Sequence, residues 1–297
     1  MSELAQLLAN GLVTGSIIAI AAVGLSLVYG ILRVVNFAHG DYLTFGAFMA
    51  FLVNVTWETS IVVAVVFGMA ATAALGVSLE YGLWRPMRRK QAGVISLFII
   101  SIGLALVLRH VIFMFWGSRP RRYDVDVFRA YDLGIVRLSL SQIVAIAIAV
   151  SAIALVGLML GTTKLGKAMR ALSDNSELAS VAGIDVDRIT TYTWVLAGAL
   201  AGLAGVLQGL LQNAFNPNMG FTLLLPIFAA VVLGGVGSAY GALAGGLVLG
   251  IAMEVSTWTV LPADGVNPVY KPVVAFTVLI AVLLFRPTGV FGKARFV

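Results

Sequence analysis

Two histidines, thirteen carboxylates and no cysteine limit the side-chain chemistry open to this 297-residue chain. Without cysteine there are no disulfides, thiolate metal sites or thiol nucleophiles. His39 and His110 are too few for a histidine-rich metal centre, and no Ser/His pair or HExxH run marks a hydrolase. The polar groups that stand out lie within or beside apolar stretches: Asn36-Phe37-Ala38-His39-Gly40-Asp41, then Glu80, Arg109 and Glu254. In hydrocarbon a charge costs at least about 2.5–3.5 kcal/mol, so each needs a partner or a task. Asn36, His39 and Asp41 either cap a broken helix, binding its freed backbone groups, or line and gate a path near its inner half. Glu254, midway along its stretch, is either paired within a bundle or open to that path. Glu80 reads as a structural group at the inner surface, poorly spaced for a direct pair with Arg85. Arg109 is expected to snorkel outward.

Two glycine-rich runs imitate nucleotide sites. Gly161-Thr-Thr-Lys-Leu-Gly166-Lys167-Ala168 nearly spells a P-loop, but lacks the final Ser or Thr that would hold Mg²⁺. Gly235-Val-Gly237-Ser-Ala-Tyr-Gly241 resembles a dinucleotide fingerprint without the surrounding strand–helix unit. Both are rejected. If ATP is used, the ATPase is another chain.

The elements that must position these groups follow from composition. Hydrophobic residues make up 60% of the chain and charged residues 11%, with a mean hydropathy of +1.02. Soluble chains are about 45–50% apolar and about 25% charged. A soluble enzyme, a disordered chain and a nucleic-acid-binding module are therefore excluded, despite a pI near 9.8. The basic excess reads as membrane topology. The fold class is all-α, a polytopic transmembrane bundle forming one domain over 1–297. Nine stretches can span: 6–31, 37–54, 61–83, 93–116, 140–160, 191–212, 221–237, 241–261 and 270–286. The second starts polar and is expected to be broken or re-entrant. The seventh and eighth should form a tight hairpin or one interrupted unit. Glu3 and the lack of a basic n-region argue against a cleaved signal peptide.

With the N-terminus outside, the inner segments hold twelve of the nineteen Lys and Arg residues, and the outer ones six. The exception is the outer loop 117–139, where Arg119, Arg121, Arg122, Arg129 and Arg137 face Asp124, Asp126 and Asp132. N-out, C-in is favoured. Glycines recur every four residues at Gly198/Gly202, Gly205/Gly209 and Gly237/Gly241/Gly245. Such stripes allow close helix approach in lipid, as packing within one subunit, as a path lining or as a subunit interface.

The segment 161–190 is the longest polar interval on the inside, yet too short for a separate domain. Met169 and Leu172 give a short helical face beside Lys167 and Arg170. Asp174 with Glu177 is a capping-box-like start, Leu178 and Val181 form an apolar edge, and Gly183 is a left-handed stop. A helix from about Asn175 to Ala182, parallel to the membrane, is expected. It is either an ordinary interfacial helix or a docking helix shown to a soluble partner.

At these residues the chain resembles the permease subunits of branched-chain amino acid ABC importers (Liv-type), in their LivH-like half. The motifs are Gly24-Leu25-Ser26-Leu27-Val28-Tyr29-Gly30 leading to Asn36–Gly40; Glu80 with Arg85-Pro86-Met87-Arg88; Gly166–Ala171 continuing to Ala182-Gly183-Ile184; and Ala197–Gly205. Gly234-Gly235-Val236-Gly237-Ser238 and Arg286-Pro287-Thr288-Gly289-Val290-Phe291-Gly292 resemble the family's ending. The resemblance runs nearly full length. It implies the helical permease fold of ribose-type importers, a LivM-like permease partner, two cytoplasmic ATPases carrying ATP and Mg²⁺, and an external solute-binding protein. It also implies no cofactor on this chain, no nucleic acid, and a place in the bacterial cytoplasmic membrane. No pair of opposite charges suited to an amino acid's ammonium and carboxylate stands out in the sequence. The competing function is an ion-coupled secondary transporter using Asp41, His39 or Glu254. It is expected to show inverted repeats, and no clear internal symmetry is found.

Overall fold

The computed structural model describes residues 2–125, 130–132, 134, 136–259, 266–286 and 289–290. Backbone in hydrocarbon must satisfy its own hydrogen bonds, so helices dominate. In chain order they are α1 (Ser2–Leu32), α2 (His39–Phe51), α3 (Ile61–Leu79), α4 (Arg85–Arg89) and α5 (Val94–Trp116). After strands β1 (Ala130–Asp132) and β2 (Arg137–Ser139) come α6 (Leu140–Thr162), α7 (Lys164–Asp174) and α8 (Ser176–Val181). The chain continues through α9 (Val186–Leu211), α10 (Met219–Gly234), α11 (Ala239–Val255) and α12 (Lys271–Phe285).

Each of the nine expected stretches carries a helix. Among the described residues, six helical segments are long and apolar enough to cross a membrane: Glu3–Leu32, Ile61–Arg89, Val94–Trp116, Leu140–Thr162, Val186–Leu211 and Pro268–Phe285. α10 and α11 are shorter apolar helices. The second stretch starts late. Its 13-residue helix α2 rises about 20 Å, short of a ~30 Å hydrocarbon core, and a π turn, Leu52–Thr56, extends it. Asn36, bonded to the N–H groups of Ala38 and His39, turns the chain just before the helix begins. A second π turn, Glu80–Trp84, joins α3 to α4. In the loop before α6, β1 and β2 pair antiparallel, an element that composition did not announce. There the Gly134 N–H, and then Arg137, hold the Asp132 carboxyl below its ordinary range. Asp126, Arg129, Pro287, Thr288 and residues 291–297 lie outside the described residues, as does the end of the eighth stretch.

The chain divides into two compact units. The first comprises Met1–Val23, Val125–Ile153 and Leu225–Val297. In it α10 and α11 form the expected hairpin, capped where Ser238 Oγ accepts from the Gly241 N–H at 3.0 Å. A Cβ on Gly241 would strike the Gly234 carbonyl, and one on Gly245 the Ala230 carbonyl. On its other side α11 presents Gly246 and Gly250 to the backbone of α1 at Ala19 and Gly15. Gly237 departs from its expected packing role. It sits in the turn between the two helices with φ +84°, so left-handed backbone, not helix contact, requires glycine there.

The second unit comprises Gly24–Asp124 and Ala154–Leu224, and its core is the junction of α2, α3 and α9. A Cβ on Gly198 would lie 2.7 Å from Ala73 Cα, and one on Gly202 2.8 Å from the Gly68 carbonyl. One on Gly205 would collide with the Leu43 carbonyl. Thus a single stripe on α9 serves two neighbours, Gly198 facing α3, Gly205 facing α2, and Gly202 standing where both meet it. Such contacts bring the three backbones to van der Waals distance, as small-residue stripes permit. Where the loops close this unit, Tyr123 Oη donates to the Ala47 carbonyl at 3.0 Å, and its ring packs on Phe215. Burial raises the Tyr123 phenol above its ordinary range.

Candidate functional site

The polar segment after α6 forms two helices. Thr163 caps α7, its hydroxyl accepting from the Gly166 N–H at 3.0 Å. A Cβ on Gly166 would run into the backbone of Met159 and Leu160, and Arg170 donates to the Leu160 carbonyl. The P-loop lookalike is therefore a tight corner, in which α7 folds back on the last turn of α6. Met169 and Leu172 are buried as expected. The chain then breaks at Asn175, whose backbone is extended, and Asn175 Oδ1 accepts from the Leu178 N–H at 3.0 Å. Asn175, not Asp174, is the cap. Asp174 still belongs to α7, so the first free N–H groups of α8 come one residue later than a cap at Asp174 would meet.

Gly183 ends α8 with φ +85°. Its N–H bonds to the Ser180 carbonyl, and that of Ile184 to the Ala179 carbonyl, the paired closure of a Schellman stop. Ala179 is buried, whereas Leu178 is 66% and Val181 87% exposed. Glu177 stands in the first turn, where a helix's positive end favours an acid. Two apolar side chains are thus held outward on a short helix capped at both ends.

At the head of α2, Asn36 Oδ1 accepts from the Ala38 N–H at 3.1 Å, and the Asn36 carbonyl accepts from the His39 N–H at 3.2 Å. Asn36 thus holds the turn that precedes α2, whose N-cap, Ala38, receives no side-chain cap. His39 is buried and its ring lies beside Tyr42. Asp41 is wholly buried and receives Arg109 Nε at 2.9 Å and Nη2 at 3.1 Å. The Arg109 guanidinium also lies over the Phe221 ring, 4.2 Å from its centroid. Arg109 does not snorkel. It falls on the buried face of α5 with Ser101, Ala105 and Ile112. Ser101 and Ala105, small residues spaced four apart ahead of Arg109, were the sequence signal that it turns inward.

Glu80 pairs with Arg88 in two hydrogen bonds and accepts from Trp194 Nε1 at 2.8 Å. Trp194 stacks on Trp84 at 8° between planes. Arg85 instead binds Asp187 at the start of α9. The structural role expected of Glu80 stands, with a partner that the π turn brings round and spacing rules do not give. In the first unit Glu254 receives Lys271 Nζ at 2.6 Å and Thr14 Oγ1 at 3.2 Å. Of its two alternatives, it takes the paired one. Among the described residues, no group of three His, Cys, Asp or Glu is arranged to hold a metal.

These features can be set beside known proteins. Residues 7–283 match the family described as branched-chain amino acid transport system / permease component. The high-affinity branched-chain amino acid transport system permease protein BraD of Pseudomonas aeruginosa is 35% identical over 301 residues, covering 97% of this chain and 95% of the relative. LivH of Escherichia coli, of the same description, is 32% identical over 302 residues, with the same coverage. The ribose import permease protein RbsC of Escherichia coli is 30% identical over 285 residues, covering 91% of this chain and 82% of the relative. A multi-pass helical chain matched along nearly all its length belongs to the branched-chain amino acid ABC transporter permease family, a family of transport subunits and not of enzymes.

Proposed function

We propose that this chain is the permease subunit of a binding-protein-dependent importer, moving amino acids, branched-chain ones foremost, inward across the bacterial cytoplasmic membrane. ATP hydrolysed on two partner ATPases drives the movement. A second, LivM-like permease completes the pathway, and an external solute-binding protein delivers the substrate. On this reading 1–297 act as one transmembrane domain with no cofactor of its own, ATP and Mg²⁺ belonging to the partners. The observation that carries it is the doubly capped α8 with Leu178 and Val181 outward, set between α6 and α9. A membrane chain that hydrolyses nothing itself needs such a contact to receive work. Asp174, Asn175, Glu177, Leu178, Val181 and Gly183 make up this ATPase-coupling element.

The two carboxylates that an ion-coupled carrier would cycle, Asp41 and Glu254, are each held by a cation, Arg109 and Lys271. That favours the ATP-driven reading over a secondary transporter. On this reading Asn36, His39 and Asp41 border a path at the head of α2, while Glu254, held by Lys271 within the first unit, is a fixed structural pair. The test is uptake of labelled leucine into vesicles holding the assembled complex. Uptake should require both ATP and the binding protein. Uptake driven by a proton gradient without ATP would overturn the reading.

A further inference from the structure

Arg33 ends α1 in a backbone conformation that favours glycine, with φ +55°. Its N–H still bonds to the Tyr29 carbonyl at 2.9 Å, so the helix closes regularly without help from the side chain. What arginine adds there is its guanidinium. Arg33 Nη2 donates to the Ser173 carbonyl at 2.8 Å, across 140 residues of sequence. Ser173 lies in the last turn of α7, where unpaired carbonyls form the helix's negative end and a cation is favoured.

From Arg33 only a short linker leads to α2, and it is firmly held. Val34 and Asn36 are buried, and Asn36 binds the backbone of both Ala38 and His39. The first turn of α2 in turn carries Asp41, tied to Arg109 of α5. A displacement of α7 that keeps the Arg33 bond must therefore pull on the start of α2.

We propose that Arg33 is a positioning residue for transport, passing movement of α7 to the first turn of α2. The proposal rests on reading α7–α8 as the segment that docks the ATPases. Coupling between sites needs contacts that both ends bias, and this bond joins the docking segment to the polar head of α2.

The assembled importer in proteoliposomes, with labelled leucine as the probe, allows uptake and ATP hydrolysis to be read together. Arg33→Gly suits the left-handed backbone and deletes the guanidinium. Its complex should form at wild-type yield or better and keep its ATPases. Leucine moved per ATP should fall about five- to tenfold, the lower range for coupling between sites. Arg33→Lys, whose ammonium can still donate to a carbonyl, should recover most of that ratio. A wild-type ratio in Arg33→Gly, loss of the ATPases from its complex, or Arg33→Lys no better than Arg33→Gly would each overturn the proposal. Failure of the docking reading shows separately, as ATPases that stay bound when Leu178 and Val181 are both changed to Asp.

Discussion

The junction of α2, α3 and α9 and the α7–α8 segment belong to the same compact unit, and they are built on opposite terms. In the junction glycine lets backbones touch, so that Gly205 leaves no room for a single carbon before the Leu43 carbonyl. In α7–α8 the caps are complete while Leu178 and Val181 remain uncovered. A junction that tight serves folding, since without a hydrophobic drive between helices in lipid close van der Waals contact must hold them. A helix finished at both ends but left with an apolar edge fits the contact with a partner proposed for it. Substitutions in the first region should therefore remove protein, and those in the second should remove coupling.

The largest effect should come from Gly205→Leu. Overpacking commonly costs about 1–3 kcal/mol, but here the obstacle is backbone, which cannot turn aside. Most of the folded complex should be lost, measured as monodisperse protein after solubilisation. Normal yield with transport alone abolished would make the stripe a path lining. Next comes Asp41→Leu, which strands Arg109 in a buried site and should cost about 3–5 kcal/mol. Replacing Asp41 and Arg109 together by Leu should recover much of the thermal stability, because no unpaired charge is then left.

Glu254→Gln should be milder, about 1–3 kcal/mol for a weakened, partly buried pair, with uptake per folded complex unchanged. Lost uptake at normal yield would return Glu254 to the path as an active group. Asn175→Ala is the smallest, about 1 kcal/mol of helix stability, read as weaker but not abolished ATPase retention. An undiminished complex would separate α8's cap from docking.

Periodicity and hydropathy made the nine apolar stretches that carry described helices legible, together with the polar start of the second and the stop at Gly183, because these are local properties. The glycine stripe was legible as a stripe, but not its division between α3 and α2, which depends on where two helices cross. Partners were the hidden part. Asp41 and Arg109 lie 68 residues apart and Glu80 and Trp194 114 apart, and spacing rules within one helix do not reach so far. Asp174 was misread as a cap because two helices abut there, and Gly237 as packing because it keeps the four-residue rhythm of its neighbours from inside a turn.

The central claim is that α8 holds the ATPases through its outward apolar edge. It is tested most directly by changing Leu178 and Val181 together to Asp in the whole complex. Co-purification of the ATPase subunits and substrate-stimulated ATP hydrolysis are then measured. Both should be lost while the permease stays membrane-inserted at normal yield. Both persisting at wild-type levels would contradict the account and put the coupling contact elsewhere.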